Sequence, residues 1–294
     1  RRGRMRALAD WAEARGLRAV LLGHSRDDVA ETFLMRLARG SGVDGLSAMA
    51  ARRAAEGTVW LRPVLGLSRD TLRAELLRRG LTWVEDPSNA DPRFDRTRAR
   101  QAIGALTPLG ITADTLAATA HRLASARAVL RGVAAEAAGQ LVRQGPAGEA
   151  VIDAGAFADL PDETARRILA GVLRWVASAD YAPRHEALAA LASGLREGRG
   201  GTLHGCLVSV TEGTIVVCRE LRAVEGLEAP APGTWDGRWR LVGPDTGPAC
   251  PGPDDLPGLT VRVLDEAGLA LCPDWRATGA ARAAIVAGPA VWQG

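Results

Sequence analysis

Two carboxylates stand out in Gly23-His24-Ser25-Arg26-Asp27-Asp28-Val29-Ala30-Glu31. Asp28 and Glu31 are three residues apart, which on a helix puts both on one face, a turn from each other. Such a pair can grip an ammonium group or a hydrated metal ion. Acids in a first turn also complement the helix dipole, and on spacing alone that is the favoured reading. His24 is a lone imidazole at a strand end, a position more often structural than catalytic. A second stretch, Arg36-Leu-Ala-Arg39-Gly40-Ser41-Gly42, sets two arginines at i, i+3 before a glycine-rich turn. Guanidinium forks and exposed backbone N–H groups there could hold phosphates. A cationic helix end with a glycine cap is the plainer alternative. The third stretch is Glu85-Asp86-Pro87-Ser88-Asn89 followed by Arg93, Arg96, Arg98 and Arg100. Arginines this dense beside a polar turn suit a phosphodiester backbone, and they equally suit a solvated charge run.

These residues need elements to position them. Residues 1–17 read as an amphipathic helix ended by Gly16, and Arg18 to Gly23 is an apolar run of strand length. Asp27 to Arg39 carries apolar residues at helical spacing. Val59 to Val64 reads as a further strand, and Ser68 caps a helix over 69–79 that Gly80 stops. Trp83-Val84 reads as extended. This strand–loop–helix order predicts an α/β fold with a parallel sheet, where ligands gather at the carboxyl ends of strands. From Thr112 to about Arg143 the chain is alanine-rich and helical. Helices follow over 161–177 and 183–195, then a hairpin from Leu203 to Glu220 turning at Glu212-Gly213. Residues 226–258 are rich in Pro and Gly. The expected organisation is 1–105, a parallel-sheet domain; 106–225, a helical linker and α+β domain with a β-hairpin; and 226–294, a partial C-terminal domain.

Composition narrows the partners. All 37 basic residues are arginine. Residues 1–105 hold 20 Arg against 13 acids, a surplus of +7, while 106–294 hold 17 against 21, or −4. A basic segment on a near-neutral chain points towards a polyanion, although a basic surface without a partner reads as well from charge alone. No apolar run approaches the ~18–20 residues that cross a bilayer, so no membrane partner is expected. Cys206, Cys218, Cys250 and Cys272 show no C-x-x-C spacing and no neighbouring His. The hairpin register pairs Leu207 with Cys218, leaving four reduced thiols in a cytoplasmic protein.

Taken together, residues 23–49 resemble the signature of the tRNA(Ile)-lysidine synthases. That run is Gly-His-x-x-Asp-Asp-x-Ala-Glu-Thr-x-x-x-Arg-Leu-x-Arg-Gly-Ser-Gly-x-x-Gly-Leu-x-x-Met. Arg62-Pro63, Trp83 to Asn89 and the arginine-rich stretch after them are similar to it too, so the match runs from about residue 1 to 105. Thr202-Leu203-His204-Gly205-Cys206 and Arg219-Glu220 look like that family's second domain, more loosely. The resemblance implies a PP-loop ATP pyrophosphatase (adenine nucleotide alpha hydrolase-like) catalytic domain. The implied reaction adenylates the C2 oxygen of the wobble cytidine of an isoleucine tRNA with a CAU anticodon. The ε-amine of L-lysine then displaces AMP to give lysidine. ATP is the implied co-substrate, with Mg²⁺ implied by ATP chemistry rather than by a ligand motif.

Carried onto matching positions, Asp28 and Glu31 would bind lysine, with His24 beside the activated base or nucleotide. His24, Arg36, Arg39, Gly40, Ser41 and Gly42 would form the phosphate side. Asp86, Ser88, Asn89, Arg93, Arg96 and Arg100 would line the tRNA side. A homodimer stays open. Thr97 stands where the family pattern usually has Asn, and Ser25 replaces a frequent second His. The Ser-Gly-Gly-x-Asp-Ser phosphate loop of the family does not occur in this sequence. The chain is therefore expected to be a piece beginning after that loop and inactive alone. Two alternatives stand beside this one. A tRNA thiolase of the same fold would need cysteines near the site, yet all four lie beyond residue 200. A non-catalytic tRNA-binding protein would explain the arginines but not the Asp28/Glu31 pair.

Overall fold

A computed structural model describes residues 2–86, 91–230, 233–240 and 259–293. The chain divides into two compact units, residues 1–130 and 131–294.

In the first unit, helix α1 (Arg2–Glu13) leads to strand β1 (Ala19–Leu21) and helix α2 (Arg26–Leu37). A short helix α3 (Val43–Leu46) precedes strands β2 (Arg52–Ala55) and β3 (Thr58–Leu61). Helices α4 (Arg69–Arg78), α5 (Asp95–Leu106) and α6 (Ala113–Leu141) follow, and α6 carries the chain into the second unit. The sheet has the order β1-β3-β2. β1 and β3 run parallel, with Ala19 opposite Val59 and Leu21 opposite Leu61. β2 is an addition: it joins β3 as an antiparallel hairpin turned by Glu56 and Gly57, both at positive φ. That two-residue turn matches the twist of a hairpin. Trp83-Val84, expected to be extended, pairs in no strand among the described residues, and Val84 is exposed. Val29, Ala30 and Phe33 of α2 pack on Leu65 and on Leu116, Ala117 and Ala120 of α6. This core fixes α2, whose amino end follows directly from β1, as a rigid platform.

The second unit is built on a five-stranded antiparallel sheet. Its strands are β4 (Val142–Gln144), β5 (Ala150–Asp153), β6 (Gly201–Leu203), β7 (Cys206–Thr211) and β8 (Thr214–Arg219), in the order β4-β5-β8-β7-β6. Helices α7 (Ala154–Ala158), α8 (Asp162–Val176) and α9 (His185–Arg196) lie between β5 and β6 in sequence. α8 buries Ala165, Ile168, Leu169, Val172, Leu173 and Val176 on one face against Ile152, Val208, Ile215 and Val217. Each large apolar side chain so buried contributes about 1.5–3 kcal/mol. The β7–β8 hairpin has the expected register, Leu207 opposite Cys218. Cys206, Cys218 and Cys272 are free thiols; Cys250 lies outside the described residues. After α10 (Leu221–Val224), strand β9 (Glu228–Pro230) pairs with β12 (Leu259–Val263), and β12 pairs with β13 (Pro289–Gln293). Between them stands a small ribbon of β10 (Thr234–Trp235) and β11 (Trp239–Arg240), and α11 (Asp265–Ala270) and α12 (Arg282–Val286) lie between β12 and β13 in sequence.

Candidate active site

The site is organised by the amino end of α2. Ser25 is its N-cap: the Ser25 hydroxyl accepts from the Asp28 backbone N–H at 3.4 Å. Asp28 returns the bond, its Oδ2 accepting from the Ser25 backbone N–H at 2.8 Å and from the Ser25 hydroxyl at 3.0 Å. This reciprocal capping box satisfies two backbone donors that the helix would otherwise leave open. One oxygen of Asp28 is thus committed to the fold. The other, Oδ1, stands 3.8 Å from the Arg69 guanidinium and 3.7 Å from that of Arg96.

Glu31 lies one turn further along and is 1% exposed. Its Oε1 accepts from Arg100 Nε at 2.9 Å, and Arg69 stands 3.5 Å away. Its Oε2 is buried without a hydrogen-bond partner. A desolvated carboxylate is costly unless paired, and the arginines converging here supply that pairing. The cluster of two carboxylates and three guanidiniums carries one surplus positive charge.

Arg69 is positioned from a third direction. It opens α4, whose N-cap Ser68 accepts from Thr71 N–H at 3.0 Å. Asp27, the neighbour of Asp28, accepts the Arg69 backbone N–H at 2.7 Å, tying the amino ends of α2 and α4 together. Around these groups lies a cleft of about 510 Å³ whose walls include Asp28, Glu31, Arg69, Arg93, Arg96 and Arg100. A smaller cleft of about 260 Å³ shares Asp28, Arg69 and Arg100 and adds Gly23, Ser25, Arg73 and Glu85.

The structure brings together some of the residues expected from sequence and separates others. Asp28, Glu31, Arg93, Arg96 and Arg100 share the larger cleft. Arg93 is highly exposed and folds back on Asp91, donating from Nε at 2.8 Å, which holds the Asp91 carboxyl below its ordinary range. Glu85 borders the smaller cleft. The Trp83 indole N–H donates to it at 2.7 Å, and together with Arg73 keeps its carboxyl below the usual range. Asp86 is exposed beside it. Ser88 and Asn89 lie outside the described residues. Thr97, the departure from the family pattern, is buried on the wall of the larger cleft.

His24 is half-buried and lines neither cleft, although both of its neighbours in sequence line the smaller one. Arg36 and Arg39, at the opposite end of α2, line neither cleft. Arg36 donates to the Gly45 carbonyl at 2.6 Å and so braces the turn that contains Gly40, Ser41 and Gly42. A side chain at Gly45 would collide with Ser41, its Cβ lying 2.5 Å from that of Ser41, so the turn closes only around a glycine. Arg39 donates to Asp95 at 3.0 Å on the surface. Residues 36–42 thus stand apart from these two clefts. About 12 Å of helix separates Asp28 from Arg36 at a rise of ~1.5 Å per residue.

Sequence reading missed Asp27, Arg69 and Arg73. Asp27 and Arg69 meet across 42 residues of chain, and no local pattern announces such a contact. The capping role of Asp28 was legible, since Ser-x-x-Asp before an apolar run is a helix-start signature. Among the described residues no three His, Cys, Asp or Glu side chains cluster as metal ligands. Among the described residues no helix is long and apolar enough to cross a membrane.

Residues 1–106 match the PP-loop domain family. The tRNA(Ile)-lysidine synthase of Ruegeria pomeroyi is 45% identical over 294 residues, all of this chain and 68% of that protein. The enzyme of the same name from Wolbachia pipientis is 32% identical over 81% of this chain and 57% of its own length. That of a Bradyrhizobium species is 42% identical over 56% of this chain and 49% of its own. The chain thus spans about half to two thirds of the length of these curated relatives. Across that span, it belongs to the tRNA(Ile)-lysidine synthase family and carries PP-loop sequence in its first unit.

Proposed function

We propose that this chain handles lysine and tRNA in an ATP-dependent ligation, carried out in the cytoplasm, that builds lysidine on an isoleucine tRNA with a CAU anticodon. ATP first adenylates the C2 oxygen of the wobble cytidine and releases pyrophosphate. The neutral ε-amine of lysine then attacks C2. A C–N bond forms, the bond from C2 to the adenylated oxygen breaks, AMP leaves with that electron pair, and the attacking nitrogen loses a proton.

The observation that carries this reading is the mixed charge of one cleft. Asp28 Oδ1 and Glu31 face it beside four arginines, so an ammonium and a phosphodiester each find a counter-charge within one concavity. Arg93 and Arg96 take the tRNA backbone in this scheme, and Asp28 with Glu31 take lysine. The thiolase alternative is disfavoured: burial pushes the Cys206 thiol up to about 11 and the Cys218 thiol up to about 12, so neither is a thiolate at neutral pH.

Asp28→Asn in the complete enzyme tests the assignment. The amide oxygen still accepts from Ser25, so the cap survives while the charge goes. The expected outcome is a tenfold to hundredfold rise in lysine KM, the worth of a charge-assisted contact, with adenylated tRNA still formed. Loss of adenylation with an unchanged lysine KM would assign the pair to the nucleotide instead.

A further inference from the structure

Arg69 stands out among the cleft's cations. It lies on the shared wall of both clefts, and its side chain is 29% exposed. Its backbone is fixed by Asp27 at 2.7 Å. Its guanidinium, by contrast, makes only loose contacts, 3.5 Å to Glu31 and 3.8 Å to Asp28. Arg100 takes Glu31 at 2.9 Å and is committed. A planar fork held by its main chain, with no short bond to either carboxylate, is set to receive an external carboxylate in bidentate fashion.

Lysine brings such a carboxylate. It also brings two amines, and the reaction decides between them. An ε-ammonium has a pKa near ~10.4, and carboxylates alongside favour its charged form. Held by Asp28 and Glu31, the ε-nitrogen would keep its proton and have no lone pair for C2. The pair therefore suits the α-ammonium, which takes no part in the chemistry. We propose that the lysine-binding site is a zwitterion reader: Arg69 binds the α-carboxylate of lysine, and Asp28 with Glu31 binds its α-ammonium. The ε-amine is then left to extend along the cleft, whose 510 Å³ or so accommodates a four-carbon chain. Arg69 is a specificity residue that selects a free amino acid over a diamine or a lysine within a peptide. This rests on the reading above, in which Asp28 and Glu31 bind lysine.

The test is calorimetric binding and single-turnover transfer with three ligands: lysine, lysinamide, which lacks the carboxylate charge, and 6-aminohexanoate, which lacks the α-amine. On the unaltered enzyme, each analogue should bind tenfold to hundredfold more weakly than lysine. Arg69→Gln should weaken lysine by a similar factor and leave lysinamide within about threefold, because the group it reads is already gone. Arg69→Lys, which keeps the charge and loses the fork, should recover part of the loss and guards against a folding defect. Asp28→Asn should weaken lysine and lysinamide but not 6-aminohexanoate. Lysinamide binding as tightly as lysine overturns the proposal, as does an equal loss of both ligands in Arg69→Gln. A lysine defect in Asp28→Asn with none in Arg69→Gln keeps the function and removes Arg69 from it. No lysine defect in either variant removes both.

Discussion

Glu31 is the residue on which the site's stability turns. Its side chain is 2% exposed, against 41% for Arg100, so the pair is desolvated on one side only. Removing one partner of such a pair costs more than the pair itself contributes, because a buried charge is left behind. Arg100→Ala would leave Glu31 Oε1 with only the 3.5 Å approach of Arg69. Stability should fall by about 1–3 kcal/mol, measured by urea denaturation. Adding Glu31→Gln to that variant removes the stranded charge and should restore at least half of the loss. If the second substitution deepens the loss instead, Glu31 is held by something other than Arg100. This arrangement separates tasks among arginines that look alike in sequence. Arg100 is structural first, whereas Arg93 pairs at the surface with its neighbour Asp91 and Arg96 stands 3.7 Å from Asp28.

Elements decide whether those residues meet, and the α2 start is the clearest case. Ser25→Ala removes the hydroxyl that caps Asp28 N–H, and the expected cost is about 0.5–1 kcal/mol. It falls at the low end because Asp28 Oδ2 still accepts from the backbone N–H of residue 25, at 2.8 Å. The lysine KM should rise with it, since an unlatched Asp28 carboxylate samples more rotamers. A variant that loses stability but keeps its KM would show that packing alone orients Asp28. Such local features were legible in the sequence. Ser68 before α4, Gly80 after it, and the Glu212-Gly213 turn all stand where turn and cap chemistry placed them. β2 was not legible, because Arg52-Arg53-Ala54-Ala55 at the exposed sheet edge has no apolar alternation and is recruited by its neighbour β3. The Asp28/Glu31 pair could be read from i, i+3 spacing, but its cations could not. Arg69 lies 38 residues from Glu31 and Arg100 lies 69, and only the folded chain closes those distances.

At the scale of the whole chain, charge is the property that matters, and it is uneven. The surplus of +7 in residues 1–105 sits on a segment whose arginines are differently employed. Arg78 and Arg79 are both held by Glu75, at 2.7 and 2.6 Å, which offsets one of their two charges, and neither lines either cleft. Arg93 and Arg96 border the larger cleft instead, with side chains 86% and 44% exposed. A polyanion should be felt by the second group and not by the first. Each phosphate contact that releases a condensed counterion steepens the log–log salt dependence of binding by roughly 0.7 to 0.9. Arg93→Ala combined with Arg96→Ala should therefore flatten the slope for tRNA by about 1.4 to 1.8. Arg78→Ala combined with Arg79→Ala removes the same net charge and should leave the slope nearly unchanged, because those guanidiniums line neither cleft. Filter-binding titrations across salt concentrations separate the two cases. Equal flattening in both would mean that the surplus acts as a diffuse field. No flattening in the first would take Arg93 and Arg96 off the phosphate backbone and leave the cleft to lysine alone.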